Sequence, residues 1–275
     1  MHVSASRPAQ PREIKPRSPR FDFDDVPRHW FAGSVLGSHM VNGVNLLFPV
    51  GERFFVRSVR HYVDRVGDPV LREQIKGFFG QEGRHAGAHE KYFEVLEKQG
   101  FRIQGFLKAY EWWTTKVMER IAPPALRLSA TAACEHFTAT MAKNALEDDI
   151  FAHAHPAMRA LLMWHSVEEV EHKSVAFDVL QAVAPSYALR MAGLAVSGTM
   201  LGLFWVAATA MLLRQDRADV RGLLAEIRAL GDRNPFGERV YGKAIRSYLR
   251  RDFHPSDETR DEELARAYVT AAGLA

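Results

Sequence analysis

Residues 81–85 read Gln81-Glu82-Gly83-Arg84-His85, and residues 165–172 read His165-Ser166-Val167-Glu168-Glu169-Val170-Glu171-His172. Each stretch holds a Glu and a His at positions i and i+3, so the two side chains of a pair leave the same face of a helix. The flanking sequence supplies that helix. Leu71, Ile75, Phe78, Glu82, His85, His89, Tyr92 and Leu96 recur at helical spacing between Pro69 and Lys98. Met158, Leu161, His165, Glu169, His172, Ala176 and Val179 do the same between Pro156 and Ala184. In both, the Glu-x-x-His pair falls inside the apolar stripe, where an unpartnered carboxylate is costly and calls for a partner or a cation.

Two more segments repeat the pattern with a single acid. Over about 41–66, Glu52 lies in the stripe Val44, Phe48, Phe55, Val59 and Val63, and Pro49 either starts or kinks the helix. Over about 124–149, Glu135 lies among Leu128, Thr131, Thr138, Ala142 and Ala145. Each lone Glu precedes a Glu-x-x-His by about thirty residues, the distance an antiparallel helix pair requires. The longer gap from Glu82 to Glu135 suits a crossover connection. The expected fold is all-α, a ferritin-like four-helix bundle with additional helices. The ligand set is that of carboxylate-bridged dinuclear centres, suited to iron or manganese. Glu-x-x-His alone is a weak motif; its recurrence on inward faces carries the reading. The plain alternative, buried salt bridges, lacks inward Lys or Arg residues.

The other candidates are lesser ones. His89 lies one turn beyond His85 and reads as an outer hydrogen-bond partner or a core histidine. His136 and Glu171 are rotated off their stripes and read as structural. Glu168 competes with Glu169, which alone has the His at i+3. Cys134, the one cysteine, reads as core and excludes a disulfide within the chain. Phe106, Tyr110 and Trp113, on a shorter helix over 104–121, could cover a substrate cavity or simply pack.

The rest of the chain brackets this bundle. Residues 1–20, rich in Pro, Arg and Ser, read as a disordered basic tail with no apolar signal core. Residues 21–185 form the bundle, and 186–275 an apolar helix with a charged helical extension that loops at Asn234-Pro235 and His254-Pro255. Met191 to Leu213 carries no charge and is long enough to span a bilayer. It also contains Gly198-x-x-x-Gly202, a close-packing pattern. Helix burial or a homodimer contact competes with membrane association there. A formal charge of +3 gives no support for nucleic acid, and a cytoplasmic location is expected.

The stretch Leu47-Phe48-Pro49-Val50-Gly51-Glu52-Arg53-Phe54-Phe55, with the two Glu-x-x-His stretches and the Tyr248 to His254-Pro255 region, resembles a bacterial family of predicted metal-dependent hydrolases. The resemblance runs from about Trp30 to near the end of the chain. The ligand order is also similar to that of the di-iron arylamine N-oxygenases, which carry one more histidine four residues before the last Glu. His165 stands at that place and shares a face with Glu169 and His172. The resemblance implies Glu52, Glu82, His85, Glu135, Glu169 and His172 as ligands, with His165 a seventh ligand or an outer partner. It further implies a metal and oxygen chemistry and names no substrate; the leading reading is a non-haem di-iron oxygenase with two iron ions or manganese, dioxygen as co-substrate, an electron donor and an apolar or aromatic small-molecule substrate. A metal-dependent hydrolase and a non-enzymatic iron-binding bundle are the alternatives.

Overall fold

The computed structural model describes residues 12–233 and 237–274. Among them there is no β-strand, only one bridge between Phe31 and Ala154. The fold is all-α. The helices are α1 (Val35–Asn45), α2 (Phe48–Arg60), α3 (Pro69–Lys98), α4 (Gln104–Trp112), α5 (Glu119–Ile121), α6 (Pro124–Asp148), α7 (Pro156–His172), α8 (Val175–Val183), α9 (Tyr187–Gln215), α10 (Val220–Arg233), α11 (Lys243–Tyr248) and α12 (Arg260–Ala272). The Asn234-Pro235 loop lies outside the described residues.

The four site-bearing helices start where the sequence provides a stop and a cap. Asp68 accepts from the N–H groups of Val70 and Leu71, and Pro69 opens α3 where its missing N–H costs nothing. Pro124 and Pro156 open α6 and α7 in the same way. The expected helix over 41–66 is two helices, with α1 ending at Asn45 and α2 starting at Phe48. A proline ring clashes with the carbonyl four residues back, so Pro49 cannot continue a helix through Asn45 and instead sits in the first turn of α2. The expected helix over 156–184 also breaks, after His172. There the buried Lys173 turns its ammonium to Asp261 at 2.7 Å, and α8 carries the chain onward.

Helices α2 and α3 pack as one pair and α6 and α7 as another, and the pairs meet through α2 against α6 and α3 against α7. Two apolar clusters close the bundle above and below its middle. One is built on Phe78, Phe137 and Phe177, the other on Trp30, Tyr92 and Trp164. The polar site lies between these dry layers.

Helix α9 is long and apolar enough to cross a membrane by length and composition. One face lies along α6 and α1. Gly193 makes the closest approach: a Cβ there would lie 2.2 Å from Ser129 Oγ. The Gly198/Gly202 pair is not the notch for packing within the chain. Gly202 meets nothing within 4 Å, and Gly198 only touches the Phe137 ring at ordinary distance. Arg190 is buried and donates to the Tyr248 and Arg250 carbonyls, tying the C-terminal extension to the bundle. Leu203 and Val206, 59% and 69% exposed, mark the outer stripe.

The disordered tail expected over 1–20 is corrected for residues 12–20; residues 1–11 lie outside the described residues. From Arg12 onward the segment is an extended strap docked on the bundle. Ile14 is buried against Gly77, where a Cβ would come within 2.3 Å of the Ile14 carbonyl oxygen. Arg12 donates to Glu262 at 3.0 Å and to Ser174 at 2.9 Å. A basic, proline-rich segment reads as solvated because its acidic partners lie far away in sequence.

Candidate metal centre

Helix α2 contributes Glu52, α3 contributes Glu82 and His85, α6 contributes Glu135, and α7 contributes His165, Glu169 and His172. All seven side chains are buried, and the structure brings all seven together. Their donor atoms form overlapping groups within 4.8 Å: Glu52–Glu82–His85, Glu82–Glu135–His172, and His85–His165–Glu169. Glu82 is common to the first two groups, and His85 links the first to the third. His172 Nε2 faces Glu82 at 3.1 Å, Glu135 at 3.3 Å and Glu169 at 3.5 Å. His165 Nε2 lies 2.9 Å from Glu169 and 3.7 Å from Glu52.

The electrostatics of this cluster are unbalanced. Both carboxylate oxygens of Glu52, Glu82 and Glu135 and one of Glu169 have no hydrogen-bond partner. No Lys or Arg among the described residues pairs with any of the four. Burial, then repulsion from Glu82, holds Glu52 well above the usual carboxylate range. The same two causes push Glu135 up to about 8, and burial raises Glu82. Glu169 goes the other way: burial alone would raise it, but His172 and His165 outweigh that and hold it well below. For His172, burial would lower the imidazole, and the pull of Glu169 and Glu135 holds it well above its ordinary value. Crowded buried carboxylates of this kind need protons or cations. A donor set of carboxylates and imidazoles, with unmet oxygens and no Lys or Arg paired to it among the described residues, fits metal ions.

A second layer orients the imidazoles. His85 Nε2–H donates to Glu168 Oε2 at 3.0 Å, which turns Nδ1 toward Glu169, 3.9 Å away. His172 Nδ1–H donates to the Gln81 carbonyl oxygen at 2.9 Å, leaving Nε2 for the carboxylates. Gln81 in turn donates to Glu171 at 2.8 Å. His89 Nε2 lies 2.6 Å from His165 Nδ1, behind the ring that faces Glu169. Burial, then His165, holds His89 and His85 well below the usual imidazole range. Glu168 and Gln81 are the residues that helical spacing ranked too low. The available signal was adjacency: each precedes an inward Glu by one position.

Two cavities lie beside the bundle helices, and one of them reaches the cluster. One, of about 100 Å³, has His165 and Glu169 in its wall, and the rest is mainly apolar, including Val44, Phe48, Leu162 and Trp205. The other, of about 70 Å³, is lined by Gly51, Phe55, Tyr110, Trp113 and Cys134. Tyr110 and Trp113 therefore do line a cavity, whereas Phe106 packs against Tyr110 and Phe204. Burial pushes the Cys134 thiol up to about 12, which makes it a poor nucleophile. His136 donates to the Ala244 carbonyl at 3.0 Å and serves the C-terminal extension. A cleft between α6 and that extension holds Lys143 and Lys173, already paired with Glu258 and Asp261, and none of the seven residues lines it. A separate group, His29, His39 and Asp216, lies at the end of α9: both imidazoles and Arg28 donate to Asp216, while the buried His39 Nδ1 has no hydrogen-bond partner.

A helical bundle with a buried carboxylate–imidazole cluster defines a protein able to hold metal ions. The chain belongs to the family described as predicted metal-dependent hydrolase, which it matches over residues 15–259. That span contains all seven residues of the cluster. No curated protein and no solved structure matches the chain, so the likeness to arylamine N-oxygenases rests on ligand order alone.

Proposed function

We propose that the chain is a metalloenzyme that acts on a small, largely apolar molecule. Glu52, Glu82, His85, Glu135, His165, Glu169 and His172 would hold two metal ions. The observation that carries this is the set of unpartnered, buried carboxylate oxygens on four helices. The ions would supply Lewis acidity and, if iron or manganese, redox chemistry with dioxygen. The protein's own part is geometric: Glu168 and Gln81 fix which nitrogen His85 and His172 present, and the dry layers exclude bulk water.

Hydrolysis is the reaction that family membership supports. A second reading, oxidation with dioxygen as co-substrate and an electron donor as partner, has its own support. The donor set is rich in carboxylates and lacks thiolate. The cavity reaching His165 and Glu169 offers only Thr138 and Ser166 as further polar residues, a better fit to dioxygen and an apolar substrate than to a polar scissile group. The two readings separate on metal and gas. Protein loaded with zinc, iron or manganese is assayed against ester and amide panels and for oxygen uptake on reduction. Turnover with redox-inert zinc and without oxygen establishes hydrolysis; oxygen uptake by the reduced iron protein, with no activity in the zinc protein, establishes oxidation.

A further inference from the structure

We propose that Arg17 is a positioning residue of the metal centre, through which docking of the N-terminal strap orders two of the metal-binding histidines. The inference rests on the site assignment above. Arg17 reaches the ligands by two routes. On the first, its backbone N–H donates to Glu168 Oε1 at 2.9 Å and its guanidinium to the same oxygen at 3.3 Å. The other oxygen of Glu168 accepts from His85. On the second, the guanidinium forks onto both oxygens of Glu171 at 2.7 and 2.8 Å. Glu171 holds the Gln81 amide, and the Gln81 carbonyl accepts from His172. The Lys15 carbonyl, also on the strap, accepts from Gln81 at 3.3 Å.

Simple docking does not require this arrangement. Ile14 and Pro16 already pack on Gly77 and Gly80, and Arg12 already anchors the strap to Glu262 and Ser174. What Arg17 adds is charge and direction. Glu168 is fully buried, and Arg17 is the only Lys or Arg that pairs with it among the described residues. In Arg17→Gln the backbone N–H at position 17 still donates to Glu168 Oε1, but the guanidinium charge that offsets this buried carboxylate is gone, and Gln81 loses the tethered Glu171. Both imidazoles keep their partners, but those partners are held less firmly. Outer partners of metal-binding histidines are typically worth about 10–100-fold in metal affinity. One step further out, about ten-fold is the expected loss for Arg17→Gln. Because binding linkage is reciprocal, metal should in turn protect the strap.

The test uses Co²⁺ as the probe, whose visible bands report ligand geometry. Full-length wild type, R17Q, R12Q, E168Q and the R17Q/E168Q double variant are compared for Co²⁺ affinity by chelator competition, for band position, and for proteolysis of the strap with and without Co²⁺. The expected result is a weaker affinity and shifted bands in R17Q, unchanged bands in R12Q, a double variant weaker than E168Q because the Glu171–Gln81–His172 route is lost only with Arg17, and Co²⁺ protection of the strap in wild type and R12Q but not in R17Q. R17Q with wild-type bands and affinity overturns the proposal, as does R12Q shifting the bands as far as R17Q. Wild type that binds no Co²⁺ overturns the site assignment as well, which separates the two failures.

Discussion

Replacing Glu135 by Gln should stabilise the metal-free protein at high pH and cost the metal-loaded one, and the size of the effect follows from the crowding of the cluster. Burial and Glu82 push the Glu135 carboxyl from its ordinary 4.5 up to about 8. An acid with a raised value in the folded state stabilises the fold while it stays protonated. That contribution is complete below about pH 4.5 and is lost as pH rises through about 8. At about 1.36 kcal/mol per ten-fold change in proton affinity, the metal-free fold loses on the order of 5 kcal/mol across that window. Gln removes the charge but brings an amide with unmet hydrogen bonds, which costs about 1–3 kcal/mol. A net gain of about 2–4 kcal/mol over wild type is expected at high pH, turning into a loss of about 1–3 kcal/mol at about pH 5, where wild-type Glu135 is protonated. With metal the order reverses. Wild type gains about 2.7 kcal/mol at a free ion concentration one hundred times Kd, and the variant, short of one donor, gains less. Urea denaturation followed by circular dichroism, with chelator and with Mn²⁺, measures all of this. E135Q less stable than wild type in chelator at both ends of the pH range would refute the reasoning, because the site would then contain no uncompensated carboxylate crowd.

Two further outcomes test other parts of the account. His165→Ala should keep the fold and still bind metal, but with shifted visible bands in the Co²⁺ protein and lower turnover; unchanged bands and rate would remove His165 from the centre. Gly193→Val should strain the α9–α6 contact, where the new Cβ would lie 2.2 Å from Ser129 Oγ, at a cost of about 1–3 kcal/mol; differential scanning calorimetry should show a lower Tm, and an unchanged Tm would mean that α9 sits further from α6.

The helices and the inward Glu and His residues could be read from the sequence because their spacing is local. Glu82 and His85 declare their shared face within four residues, and Asp68, Pro69, Pro124 and Pro156 mark where the helices begin. What could not be read depends on residues distant in sequence. Arg17 looks solvated until Glu168 and Glu171 are brought to it, so the strap at 12–20 read as a free tail. Glu168 lost to Glu169 on spacing, although in the fold it faces His85 from across the bundle. Pro49 left two outcomes open, and its clash with the Asn45 carbonyl decided for a break by placing it in the first turn of α2. The apolar run in α9 is long enough to cross a membrane, and what its exposed stripe at Leu203 and Val206 meets lies outside the chain's own packing.

The most direct test of the central claim is the metal content of the purified chain. Protein stripped with chelator, reloaded anaerobically with Fe²⁺ or Mn²⁺ and freed of excess metal should retain two ions per chain by elemental analysis. Glu52→Ala and Glu135→Ala should retain markedly less at unchanged helicity. A wild-type chain that never holds more than a trace of either metal would contradict the assignment of the buried Glu and His cluster as a metal centre.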